Sequence, residues 1–360
     1  MWILILALLA MGVFFNKSPK LLKNFKQPTD TLVSQKRLPP PPNTFYSFVP
    51  YWSASNFSNS LPDNSEKGSF AHSLIYFGLK PKSNGTIDTD EPGYVALDTF
   101  ASSAQDYPST QKYLTLRMLS SEINFDILDN PTKQNILIEE FVSVASRKNF
   151  DGVVLDLEVS GFPTEKLKRN ITSFSSHFAA VARQNNLLSG QLIYGDVFYR
   201  LRPYDVAALA ESHDLLFFMM YDFHKAAGSP GPNFPAGGTD EYGYSFSTFL
   251  EQLGQAMILP EKSVFLFGMY GYNWSVDERQ RPLKPATAQR LKDITTQFAS
   301  CAGTCKKTRD PLSGETTIQY TSGETDHIVW YEDGQSVTKK IDLARASGMY
   351  QFGFWTYGYW

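Results

Sequence analysis

The chain has 360 residues, a formal charge of -3 and a sequence pI near 6.0, enough length for one large domain or two modest ones. That charge balance gives no footing for nucleic acid, whose binders carry clustered positive charge. With 19 Tyr, 27 Phe and 6 Trp, the sequence supplies a large aromatic core first, and stacking surfaces for flat ligands only where position supports them.

The amino end reads "MWILILALLAMGVFFNKSPKLLKNFKQ". Trp2 to Phe15 is an uncharged apolar run, short for a bilayer span of roughly 20 residues but of signal-peptide length. Lysines 17, 20, 23 and 26 follow it and none precedes it, the reverse of a secretory signal's charge order. Residues 1–15 are therefore read as a signal peptide or membrane anchor, and the protein is expected outside the cytoplasm, secreted or attached to the membrane through residues 2–15. Residues 16–43 form a Lys/Pro-rich linker ending in "LPPPPN", which cannot join a sheet.

The folded part, 44–360, opens with the strand "TFYSFVPYW" (44–52). Further short apolar runs follow at 73–79, 112–119, 150–158, 189–196, 214–222, 263–271 and 350–357. Between them, "PTKQNILIEEFVSVASRKN" carries Leu137, Phe141, Val144 and Ala145 on one helical face. The segment 162–186 repeats Leu167, Ile171, Phe174, Phe178 and Val181 at spacings of three and four. Buried strands alternating with amphipathic helices specify a parallel sheet, and eight such units predict an α/β fold, a closed (β/α)8 TIM barrel. Residues 273–335 are too long for one connection and predict a small α+β insertion between strands seven and eight: a helix over 281–299, then a strand pair. Cys301 and Cys305 fit a local disulfide or two free thiols; with no nearby histidine they do not make a zinc site. No helix follows the eighth strand before Trp360, so another segment covers that gap or the chain is truncated.

In "DGVVLDLE" side chains alternate faces. Val153, Leu155 and Leu157 point toward the helices; Val154, Asp156 and Glu158 point into the barrel, the two acids nearest the carboxyl end, where barrel enzymes keep their chemistry. Like charges this close hold one proton more tightly, which suits a general acid. A structural pair satisfied by arginine or backbone is the other reading.

"FDGVVLDLE" resembles the DGxDxDxE signature of family 18 glycoside hydrolases, the chitinase-like barrels. "FFMMYDFH" resembles that family's sixth-strand MxYDxH segment. "FLFGMYGYNW" and "HIVWYEDGQS" resemble segments of its bacterial spore-cortex and peptidoglycan glucosaminidase branch. The similarity spans about 44–358.

The resemblance implies a retaining hydrolase of β-linked N-acetylglucosamine glycans, peptidoglycan or chitin-like, using substrate-assisted catalysis. Glu158 would be general acid and base, Asp156 would hold the acetamido N–H, Tyr221 would position the acetamido oxygen and Trp355 would floor the sugar. Asp222, Tyr270, Tyr51 and Trp52 are candidate substrate contacts, and Asp151 and Gly152 are structural members of the motif. His224 follows the motif without an assigned role. No cofactor, metal or nucleic acid is expected; the partner is a GlcNAc-containing glycan and the state a monomer.

Two departures stand out. Val154 occupies the position of the family's middle Asp, which in relatives hydrogen-bonds the next Asp; slower turnover is expected. The third strand, "YLTLRMLSSE", lacks the SxGG segment of true chitinases, which shifts the expected substrate toward peptidoglycan or soluble glucosaminides. A non-catalytic, carbohydrate-binding barrel is the alternative function.

Overall fold

The computed structural model describes residues 44–59, 73–301 and 303–360. The apolar run 2–15 and the linker 16–43 lie outside the described residues.

Eight parallel strands close into a barrel: β1 (Thr44–Pro50), β2 (Ser73–Leu79), β3 (Gln111–Met118), β4 (Gly152–Leu157), β5 (Leu188–Tyr194), β6 (Leu215–Met220), β7 (Ser263–Gly268) and, late in the chain, β13 (Gln351–Trp355). β13 pairs with β7 on one side and β1 on the other, closing the ring. Five strands between β7 and β13 make a second sheet: β8 (Tyr270–Val276), β9 (Thr287–Arg290), β10 (Cys305–Arg309), β11 (Thr316–Ser322) and β12 (Thr325–Tyr331), in the order β10-β11-β12-β8-β9.

The apolar patterns explain two shells of core. Outside the strands, the helix Glu165–Gln184 buries Leu167, Ile171, Phe174, Phe178 and Ala182. The Thr164 hydroxyl caps its start by accepting from the Leu167 N–H at 3.2 Å. Phe174 and Phe178 are fully buried, each contributing about 1.5–3 kcal/mol; Phe178→Ala would cost roughly 3–5 kcal/mol. Inside the ring, Tyr46, Phe48, Ile75, Val154, Phe217 and Leu266 fill the lower layers, so the barrel is a packed core rather than a pore.

Three boundaries, and the number of strands in the insertion, differ from the sequence expectation. β1 ends at Pro50, and Tyr51–Asn59 turns into a 3-10 helix, so Tyr51 and Trp52 leave the sheet. The expected strand 263–271 breaks after Gly268, where a Cβ would come within 2.8 Å of Tyr221 Cβ. Met269 N–H instead donates to Trp355 O at 2.7 Å, and the insertion sheet begins at Tyr270. Pro282 and Pro285 keep the first part of 281–299 from becoming helix: 287–290 is β9, and the helix runs Leu291–Gln297. The insertion is a five-stranded sheet in place of a strand pair.

A disulfide joins Cys301 and Cys305. Among the described residues no helix is long and apolar enough to cross a membrane.

Candidate active site at the barrel mouth

The lower end of β4 is fixed by its motif. Asp151 Oδ2 accepts from Lys112 N–H at 2.8 Å, tying β4 to β3. Gly152 is required because a Cβ there would meet the Tyr113 ring at 2.4 Å. Asp151 and Gly152 thus set the register rather than face the mouth: Tyr113 pairs with Gly152, Thr115 with Val154 and Arg117 with Asp156.

At the upper end, Asp156 is 3% exposed and its Oδ1 has no hydrogen-bond partner among the described residues. Burial first, then the charge of Glu158, holds its carboxyl well above the usual range, with Arg117 opposing. Glu158 lies one residue past the strand and is half-buried; its N–H continues the ladder to Met118 O at 2.9 Å. Asn124 Nδ2 clamps both Met118 O and Glu158 O at 2.7 Å. The Glu158 carboxylate accepts from Tyr194 O–H at 2.8 Å. Burial and then Glu158 push the Tyr194 hydroxyl up, so it stays a proton donor in that bond. Arg202, bound to Asp196 at 2.7 Å, lies 4.0 Å over the Tyr194 ring and holds it in place.

Tyr221 follows β6 and faces the same space. Burial first, then the charges of Asp156, Asp222 and Glu158, raise its hydroxyl well above the ordinary range, leaving a neutral donor beside the acids. Its ring stacks on Trp355, centroids 6.4 Å apart, and Trp355 in turn packs edge-on to Phe77 at 4.7 Å. The structure therefore brings Asp156, Glu158, Tyr221 and Trp355 to one mouth.

Asp222 sits at φ 58°, a strained position for a residue other than glycine. It is held by Asn233, whose Oδ1 accepts from Asp222 N–H at 2.7 Å, and its own Oδ1 accepts from Tyr272 O–H at 2.7 Å and from Tyr270 O–H. Tyr270 is thereby committed to Asp222, an arrangement that braces the wall. Tyr51 stacks under Arg117, and Trp52, 47% exposed, packs on Tyr51 at the rim. His224 Nδ1 meets Pro232 O at 2.8 Å, away from the acids' hydrogen bonds. No group of His, Cys, Asp and Glu among the described residues could hold a metal ion.

Sequence reasoning missed Arg117, Glu91 and Tyr194. The signal for Arg117 was present: in "YLTLRML" it shares a face with Tyr113 and Thr115, the same alternation that marked Asp156. Tyr194 ends the fifth strand in "SGQLIYGD", where nothing local marks its hydroxyl for Glu158. Glu91 lies in a loop and carried no pattern.

The chain is similar to known proteins along most of its length. The chain is 24% identical over 328 residues to a class V chitinase of Arabidopsis thaliana, covering 86% of this chain and 84% of that protein. It is 21% identical over 294 residues to the cortical fragment-lytic enzyme of Bacillus anthracis, covering 79% of this chain and 64% of that longer protein. Among solved structures, human YKL-39, a pseudo-chitinase with retained chitooligosaccharide binding, superposes with a TM-score of 0.70 at 17% identity, covering 87% of this chain and 92% of that one. The model for glycosyl hydrolases family 18 matches residues 47–359, and the chain belongs to that family.

Proposed function

We propose that this protein is a retaining glycosidase acting on β-linked N-acetylglucosamine glycans through the substrate's own acetamido group. The observation that carries the reading is the convergence of Asp156, Glu158, Tyr221 and Trp355, with Tyr221 within electrostatic reach of both acids and stacked on the tryptophan. Membership of family 18 and the cortex-lytic and chitinase relatives support it.

In this reading the sugar lies on Trp355. Glu158 gives its proton to the glycosidic oxygen as the bond to the anomeric carbon breaks and the aglycone leaves. The acetamido oxygen forms a bond to that carbon, giving an oxazolinium ion; Asp156 accepts the acetamido N–H and offsets the positive charge. Tyr221 donates to the acetamido oxygen and keeps it in line, a proximity effect. Water then attacks the same carbon from the side the aglycone left, Glu158 takes its proton, and the oxazolinium ring opens with configuration retained.

The test is to incubate the purified protein with chitooligosaccharides and with purified peptidoglycan and to follow new reducing ends. Wild type should generate them, and Glu158→Gln should lower the rate by about 10²–10⁴-fold while sugar binding persists. Equal rates in both would remove Glu158 from its role. A second reading, a barrel that binds such glycans without cleaving them, is favoured by one feature: Val154 is fully buried where the family places an acid beside Asp156. Sugar binding with no reducing ends from wild type would establish it.

A further inference from the structure

Val154 removes the acidic neighbour beneath Asp156, and the space around it shows the loss. Thr115, in register with Val154 on the adjacent strand, has a buried hydroxyl with no partner among the described residues. One layer higher, Arg117 stands in register with Asp156. Its guanidinium is anchored on the side away from β4: Nε donates to Gly78 O and Nη2 to Glu91 Oε1, both at 2.7 Å. It stacks over the Tyr51 ring at 4.8 Å and the Phe77 ring at 5.2 Å. Nη1 makes no hydrogen bond among the described residues, and neither does Asp156 Oδ1. A buried cation and a buried carboxylate thus share one interior layer without a direct hydrogen bond between them.

We propose that Arg117 is a positioning residue: anchored by Glu91 and stacked on Tyr51 and Phe77, it sets the ionisation of Asp156 where Val154 has removed the family's neighbouring acid. The inference rests on the reading that Asp156 serves the glycosidic reaction. An acidic neighbour would share a proton with Asp156; a cation instead favours its charged form, which is the form needed to offset an oxazolinium ion. The other charged or titratable groups around Asp156 are Glu158 on its own strand, Tyr194 and Tyr204 from β5 and the loop after it, and Tyr221 after β6, with Asp222 beyond it. The tyrosines remain neutral donors, so Arg117 is the cation that opposes the burial of Asp156 among the described residues.

The experiment is a carbon-13 titration of the Asp156 carboxyl in the full chain, assigned with Asp156→Asn, in wild type, Arg117→Met, Arg117→Lys and Glu91→Gln. Arg117→Met should move the Asp156 titration to higher pH by about one unit, and Arg117→Lys should restore most of it. Glu91→Gln, which leaves the cation uncompensated while keeping an oxygen for the Gly93 N–H, should move it to lower pH. The acidic limb of kcat/KM should follow in the same directions. A role confined to packing gives no opposite signs, so an unmoved Asp156 titration in folded Arg117→Met or Glu91→Gln overturns the proposal. Should Arg117→Met fail to fold, the downward shift in Glu91→Gln still decides it. Absence of product from wild type with the expected titration shifts would instead overturn the glycosidase reading and leave the role of Arg117 standing.

Discussion

Among the described residues two pairs of neighbouring carboxylates, one fully buried and one with Glu158 half-buried, are treated in opposite ways. Glu315 and Glu332, at the junction of the insertion and the barrel, are fully buried around Lys340, whose ammonium reaches them at 3.1 and 2.6 Å. Glu315 also accepts from Asn233 N–H at 2.6 Å and Phe234 N–H at 2.8 Å. Asp156 and Glu158 have no lysine between them and an arginine held to one side; one oxygen without a hydrogen-bond partner is common to both pairs, on Asp156 and on Glu332. A closed, paired cluster is what stability requires of buried charge; an open one is tolerated where chemistry uses it.

The contrast makes predictions of decreasing size. Lys340→Met would leave two buried acids with no cation and should cost about 3–5 kcal/mol, read as a lower denaturant midpoint. No change in that midpoint would mean the cluster is not the closed structural unit described. Asp156→Asn should do the reverse: the unfolding free energy rises by about 1 kcal/mol, read as a higher midpoint, while the rate of reducing-end release falls about 10²-fold on the proposed mechanism. A destabilised Asp156→Asn protein would erase the distinction between the pairs.

On the proposed mechanism, Tyr221→Phe should cut kcat by about 10–10²-fold with little change in stability, because it removes only the hydroxyl assigned to the acetamido oxygen. Stopped-assay kinetics and thermal unfolding on the same sample check both halves. The smallest effect is a pH dependence. Burial first, then Glu315 working against Lys340, raises the Glu332 carboxyl from 4.5 to about 8. The folded state therefore binds a proton the unfolded chain releases, so this contribution is full below about pH 4.5 and is lost as pH rises through about 8. Glu332→Gln should flatten that decline in a series of unfolding temperatures from pH 5 to 9, leaving the shares of Asp156 and Glu315, which have the same sign.

How far the sequence reaches follows from the same contrast. The barrel was legible because each strand's alternation and each helix's apolar stripe are local, and β4 showed its interior face in "DGVVLDLE". The mouth was legible where a residue sits on that alternation, as Asp156 does, or carries a family segment, as Tyr221 and Trp355 do. Glu91 and Asn233 were not, because their roles come from loops folding back over long separations: Arg117 finds Glu91 26 residues upstream, and Asn233 finds Glu315 82 residues downstream. The β7–β8 break was missed for another reason. "SVFLFGMYG" is apolar throughout, and only the crowding of Gly268 by Tyr221 and Tyr270 shows where one sheet ends.

That break has a mechanical consequence. A single residue, Met269, separates the ring from the second sheet, and its N–H is already held by Trp355. There is no slack in such a joint: tilting the second sheet would drag Tyr270 off Asp222 and tug on Trp355 together. The wall on this side is a cantilever rather than a jaw.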